Sequence, residues 1–255
     1  MSAHTAAERK QEEIRAAREA AMTSKRDYSS VWGSTYSRYQ NELILAYLPS
    51  AQSTVLDCGC GVGVLLKDLV TRCSCVHGLD ISEKSLELIE CSHPALRSLV
   101  VGDAEQMPYK GGVFDAVVLR GTLHHLADLA GGMQEFKRVL KPGGVLVVAE
   151  PCSDFPIIFW GRKLLSKRRE KSFDTRELRS LFLTTGFWLI GERRFGYIGY
   201  AVTYLLRRSL ADLGRPAWLW RNVIRLLIGV DEMVGRIPAM TRLNVGMIMV
   251  GVARE

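Results

Sequence analysis

The chain lacks any apolar run of the roughly 18 residues that a bilayer crossing requires. The nearest, residues 195–206, lies between Arg193, Arg194, Arg207 and Arg208; its length suits a buried or interfacial segment. Residues 1–27 are charged throughout and carry no apolar h-region, so a leader is not expected and a cytoplasmic setting is. Disulfide staples are not needed at this size. The six cysteines, Cys58, Cys60, Cys73, Cys75, Cys91 and Cys152, are therefore read as reduced thiols. No His or Cys at ligand spacing completes a set with the two C-x-C pairs, so no metal is expected. Internal repeats and low-complexity tracts are also missing.

What is present is enough apolar material for a substantial core, 47% of 255 residues, which excludes a disordered tail protein. The net charge of +7 is unevenly spread. Residues 1–150 hold 16 basic and 18 acidic side chains, whereas residues 151–255 hold 18 and 9.

Residues 5–26 are rich in Ala, Glu, Arg and Lys and read as a solvated helical arm. An aromatic cluster, Tyr28, Trp32, Tyr36 and Tyr39, precedes a helix over 42–48 that Pro49 stops. From Thr54 strands and helices alternate. Strands are expected at 54–57, 75–80, 99–101, 116–119 and 145–149, short β-branched runs that suit coverage on both faces. Helices are expected at 64–71, 83–91 and 129–140, the last ended by Lys141-Pro142-Gly143-Gly144. Such repetition makes a parallel sheet with right-handed crossovers. A helix capped by Asp174 or Thr175 runs to Thr185, and two final strands are expected at 187–193 and 244–253.

The chemistry gathers at strand ends. Val55-Leu56-Asp57-Cys58-Gly59-Cys60-Gly61-Val62-Gly63 follows the first strand, and its glycines allow close backbone approach to a ligand at a helix N-terminus. The nicotinamide fingerprint G-x-G-x-x-G is not met, since the third glycine comes one residue early, and G-x-x-x-x-G-K-[ST] is absent. Asp80 ends the second strand, where an acid can take both ribose hydroxyls. Asp103 follows the third, placed to accept from an adenine amine. Asp57 can orient an ammonium group. Together they describe S-adenosylmethionine better than a dinucleotide.

Six motifs in order now carry a resemblance: residues 57–63, Gly78-Leu79-Asp80-Ile81-Ser82, Gly102 to Tyr109, Phe114-Asp115-Ala116-Val117, Leu123-His124-His125-Leu126, and Arg138 to Gly144. Over residues 28–190 the chain resembles the class I S-adenosylmethionine-dependent methyltransferases, in the branch of quinone and natural-product methylases. The resemblance implies a Rossmann-like three-layer α/β/α sandwich on a seven-stranded, mostly parallel sheet with an antiparallel last strand. It implies S-adenosyl-L-methionine as cofactor. Gly59, Gly61 and Gly63, with Cys58 before and Cys60 between them, would face its methionyl part, Asp80 with Ile81 its ribose, and Asp103 with Ala104 its adenine. Arg120, after the fourth strand, and Tyr28 or Tyr36 from an aromatic lid are added as cofactor residues. The competing reading has these rings simply packing the N-terminal helix.

Methyl transfer needs alignment and dryness, and a hydroxyl acceptor also benefits from a base. His124 and His125 stand at the right edge, His125 being the better match to the motif; their alternative role is to pack or hold the loop. Glu150-Pro151-Cys152-Ser153 resembles the nucleophilic-cysteine site of RNA cytosine methylases, but Arg120-Gly121-Thr122 stands where its partner motif belongs. The (D/N/S)-P-P-(Y/F) motif of nucleic-acid amine methylases is absent as well. Nucleic acid is thus not the expected partner.

Three domains are expected: an arm and lid at 1–50, a cofactor-binding core at 51–194 and 243–255, and a helical insertion at 195–242. In the insertion Trp218, Leu219, Val223, Leu226, Leu227 and Val230 fall at helical spacing, with Arg221, Asn222 and Arg225 on another side. With the apolar, Lys/Arg-flanked stretches 155–165 and 195–206 this helix either covers a substrate or meets an anionic membrane surface. The expected activity is methylation, foremost on oxygen, of an apolar isoprenoid, quinone, polyketide or lipid-like molecule. Its alternatives are a membrane-associated scaffold that binds the cofactor without catalysis, and an RNA methyltransferase.

Overall fold

The computed structural model describes residues 11, 15, 30–152, 154, 173–197, 199–200, 202, 217–237, 240 and 243–254. The helical arm at 5–26 apart from residues 11 and 15, Tyr28, the apolar-basic stretch 155–171 and half of 195–206 lie outside them. Seven strands form one sheet: β1 (Thr54–Cys58), β2 (Cys75–Asp80), β3 (Leu96–Val101), β4 (Phe114–Arg120), β5 (Leu140–Pro151), β6 (Phe187–Phe195) and β7 (Gly246–Ala253). Their order is β3-β2-β1-β4-β5-β7-β6. β7 runs antiparallel to both its neighbours, and every other pairing is parallel.

The central strands show no polar side because alternate residues enter two different cores. Leu56, Val117, Leu119, Leu146, Val148, Met247 and Met249 join one, and Val55, Ala116, Val118, Val145, Val147, Ile248 and Val250 the other. Helices α1 (Val31–Leu45) and α2 (Leu66–Arg72) cover the second core, through Tyr36, Ile44, Leu66, Leu69 and Val70. The short α3 (Glu83–Glu87) lies between β2 and β3. Helices α4 (Leu129–Val139) and α5 (Thr175–Thr184) cover the first core. This is the three-layer sandwich of the Rossmann-like class.

Packing rather than propensity holds α4. Gly131 and Gly132 cost it about 1 kcal/mol each relative to alanine. Burial of Met133 and Phe136 outweighs this at about 1.5–3 kcal/mol apiece. A side chain at Gly132 would collide with Leu126, so that glycine is also a close-approach residue.

Several expectations need correction. The aromatic cluster and the helix at 42–48 are one element: α1 begins at Val31, capped by the Ser30 hydroxyl, which accepts from Gly33 N at 2.9 Å. The helix expected over 83–91 stops at Glu87, where Leu88 and Ile89 bond to carbonyls three residues back and tighten the turn. β3 begins three residues early and is not covered on both faces. It is an edge strand whose residues alternate, leaving Leu99 and Val101 exposed. β5 already pairs at Leu140 with Phe114 and loops out Lys141 to Gly144 before resuming at Val145.

The last helix, α6 (Ala217–Val234), is found where periodicity put it, but with different faces. Arg221, Asn222 and Arg225 share the exposed face with Trp218, Leu226 and Val230. The inward face holds Ile224 and Asp231 and packs on α1, because Tyr39 donates to Glu232 and Asp231 is sealed against the chain at 199–200. The helix has more apolar residues than α1 can cover, so the surplus faces outward. Among the described residues no helix is long and apolar enough to cross a membrane.

Candidate functional site

Strand order reverses between β1 and β4, and the crevice at such a switch point, beyond the carboxyl ends of the strands, is where α/β sheets bind ligands. Four strands deliver a charged side chain there: Asp57, Asp80, Arg120 and Glu150, from β1, β2, β4 and β5 respectively.

The glycine loop is pinned to β2. Gly59 N and Cys60 N donate to Leu79 O at 2.7 and 3.0 Å, and Gly61 N donates to Asp80 Oδ2 at 2.7 Å. Asp80 Oδ1 accepts from Ser82 N at 2.8 Å, which fixes both carboxylate oxygens at the rim. Ile81, half-buried, lies between these partners. Gly59, Gly61 and Gly63 all have positive φ, at 77°, 52° and 78°. A side chain on Gly59 would overlap Thr122, whereas one on Gly61 would meet no protein atom within 4 Å. Gly61 therefore borders open space.

Asp57 sits at the floor of this cradle, 1% exposed, and its Oδ2 has no hydrogen-bond partner. Burial raises its pKa to about 7, the Arg120 guanidinium opposing and the Asp80 carboxylate adding to the rise. Arg120 Nη2 donates to Ser37 Oγ at 3.1 Å and Gln40 Oε1 at 2.8 Å, tying α1 over the end of β4. Asn41, also on α1, donates to Val64 O and Asp68 Oδ2 at the start of α2. Tyr36 is buried against the rings of Tyr39 and Tyr200, with centroids 5.7 and 4.6 Å away.

Beyond β3, Asp103 Oδ1 accepts from Glu105 N at 2.9 Å, and Glu105 Oε1 accepts from Ala127 N at 2.7 Å. Ala104 packs on the first core. Burial pushes the Cys58 and Cys60 thiols well up, with the neighbouring Asp57 and Asp80 charges adding, so both stay protonated and inert. Cys152 is also raised by burial, which counts against a thiolate nucleophile after β5.

The two histidines sit in a short 3₁₀ turn, Leu123–His125, and differ sharply. His124 Nδ1 lies 2.6 Å from Glu150 Oε2, with its side chain 9% and that of Glu150 0% exposed. Glu150 Oε1 accepts from Thr122 N at 2.9 Å and Leu123 N at 2.6 Å, so one carboxylate holds the whole turn. His125, the better motif match, is exposed, its ring 4.0 Å from that of His124. Glu150, Ser37 and Gln40 were missed from sequence. For Glu150 there was a signal: an acid closing an otherwise apolar strand must be buried, and a buried acid needs partners.

A profile described as a methyltransferase domain matches residues 56–148. A demethylmenaquinone methyltransferase of Staphylococcus epidermidis is 36% identical over 171 residues, covering 56% of this chain and 71% of that protein. The chain belongs to the S-adenosylmethionine-dependent methyltransferases. A ubiquinone biosynthesis O-methyltransferase of Caulobacter vibrioides is 34% identical over 109 residues, covering 41% of this methyltransferase and 43% of its own length. The chain spans less than half of the first curated relatives it matches, 23% of one and 43% of two others. A solved methyltransferase from Thermotoga maritima shares the fold, with a TM-score of 0.65 at 15% identity over 94% of this chain and 99% of that one.

The residues present fit the family's cofactor. Asp57 Oδ2, buried without a hydrogen-bond partner, could accept from an α-ammonium group, and a Cβ on Gly61 would enter the open space beside the loop. Two substitutions separate fold from site. Gly59→Ala overlaps Thr122 and destabilises the methyltransferase by about 2 kcal/mol or more. Gly61→Ala meets nothing and costs only the αL conformation, about 1–2 kcal/mol. It should weaken cofactor binding about tenfold or more in titration calorimetry, because its methyl fills the cradle. Urea unfolding of both variants gives the other half of the comparison.

Proposed function

We propose that this methyltransferase transfers a methyl group to an oxygen of an apolar small molecule of the quinone or isoprenoid kind, at the cytoplasmic face of a membrane. The observation that carries the reading is the His124–Glu150 pair, 2.6 Å apart at the carboxyl edge of the sheet. A carboxylate on Nδ1 fixes the tautomer in which Nε2 is the basic nitrogen. His124 can then accept the proton of an acceptor hydroxyl as that oxygen becomes the nucleophile, and Glu150 stabilises the imidazolium that results. When bound, S-adenosylmethionine supplies a methyl group already activated on a sulfonium. Asp57 would hold its ammonium group, Asp80 its ribose, and Asp103 with Ala104 its adenine. α1, latched by Arg120, excludes water from the reacting centre.

Relatives named for demethylmenaquinone and ubiquinone biosynthesis support the acceptor class. So does the apolar and basic character of residues 195–242, which we assign to acceptor cover and delivery. The test is incubation with methyl-tritiated S-adenosylmethionine and a set of prenylated hydroxyquinols, with non-prenylated phenols as controls. Organic-extractable label, found as a methoxy group by NMR, is expected with the prenylated set alone. Label on carbon would move the assignment from oxygen, and no label with any acceptor would overturn the reading.

A further inference from the structure

The outward face of α6 is unusual in what it combines. Exposed residues recur at 218, 221, 222, 225, 226, 229, 230, 233, 236 and 237, which is one side of a single helix and its following turn. Five are large and apolar: Trp218, Leu226, Val230, Met233 and Ile237, with Leu226 70% and Met233 69% exposed. Three are arginines: Arg221, Arg225 and Arg236. None is acidic. The two acids of the helix are held by other partners: buried Asp231 accepts from Gly199 N at 2.6 Å and Tyr200 N at 2.9 Å, and the half-buried Glu232, beside the arginines, is neutralised by Arg193 and accepts from Tyr39.

We propose that this face docks the protein on an anionic lipid surface, with α6 lying in the plane of the interface. An apolar stripe alone would suit many partners; the charge selects among them. A second copy applied face to face would set three arginines against the same three, which like-charge repulsion disfavours. A nucleic acid would use the arginines but leave five large apolar side chains wet. An anionic bilayer accommodates both: Trp218 at headgroup level, Leu226, Val230, Met233 and Ile237 in the acyl boundary, and the arginines extended to the phosphates. The opposite side of α6 packs on α1, which Arg120 ties to the end of β4, so the docking face is carried on the layer that covers α1. The proposal stands on α6 itself and holds whichever acceptor is methylated.

Vesicle flotation tests it on the full chain, with phosphatidylcholine alone and with phosphatidylcholine plus phosphatidylserine. Partitioning about tenfold stronger onto the serine-containing vesicles is expected, declining with added salt. Leu226→Glu with Met233→Glu should abolish flotation on both. Arg221→Gln with Arg225→Gln should remove the preference for the anionic lipid. All four changes are at exposed positions, and undiminished binding of S-adenosylhomocysteine with unchanged circular dichroism shows that each variant is folded. Flotation indifferent to phosphatidylserine, or unchanged in the Glu variant, would overturn the proposal. So would a solution dimer that Leu226→Glu dissociates, since a second copy would then be the occupant.

Discussion

Asp57→Asn weakens binding of S-adenosylmethionine by about 100-fold while leaving the cofactor-free protein as stable as before or more so. The first half follows from charge: a charge-assisted hydrogen bond contributes about 1.5–3 kcal/mol, and the amide cannot supply it. The second follows from burial. Asp57 is held at a pKa of about 7 against an ordinary 3.8, chiefly because its carboxylate is desolvated. Between these values the folded chain keeps a proton that the unfolded chain has lost. The stability of the cofactor-free protein is therefore fully present below about pH 4 and declines as pH rises through 7, by on the order of 4 kcal/mol from this group. Asparagine removes that dependence. Binding has the opposite pH trend: below pH 7 Asp57 must release a proton before it can pair with an ammonium group, so affinity rises with pH from 5 to 7. Titration calorimetry across that range, beside urea unfolding without cofactor, checks both signs. A variant that loses stability and keeps its affinity would show that Asp57 is a framework residue.

Glu150→Gln lowers kcat by about 10²- to 10⁴-fold at unchanged cofactor affinity. The amide keeps one oxygen for the Thr122 and Leu123 N–H groups, so the turn persists. It presents N–H instead of oxygen to His124 Nδ1, which forces the imidazole into the tautomer whose Nε2 carries a proton and cannot act as base. His124→Ala should lose as much, and the double variant little more, because the two residues act as one unit. Glu150→Ala behaves differently. It strands two backbone donors at about 1–3 kcal/mol each and collapses the turn. Single-turnover kinetics separate these cases, since a purely structural Glu150 would give Gln and wild-type rates alike. His125→Ala, at an exposed position, serves as the control.

The placement of the candidate site's residues was legible in sequence wherever a backbone requirement and a residue type coincide. The glycines of the 59–63 loop, Asp57 beside them and Asp80 at the next strand end are fixed by strand ends, and strand ends can be read from apolar runs. The histidines were legible only as a pair. Which of two consecutive residues turns inward depends on the rotation of one 3₁₀ turn, and that is set by Glu150, 26 positions further along the chain on another strand. The faces of α6 failed for a related reason. A helical pattern gives the spacing of apolar residues, but the side that is buried depends on how wide a surface the neighbouring helix offers. β3 was misread because an edge strand and a central one share β-branched composition, and only neighbours distinguish them.

The placement of β7 has a consequence for how the molecule is made. Among the described residues β6 is hydrogen-bonded into the sheet through β7 alone, and β7 separates it from β5. Roughly 50 residues lie between the end of β6 and the start of β7, which at about 5–20 residues per second is several seconds of ribosomal synthesis. Throughout that interval β1 to β5 can close around the cofactor crevice, while β6 has no ladder to join. Nascent chains arrested before Gly246 should thus bind cofactor, yet present β6 as an unpaired strand open to capture by a chaperone.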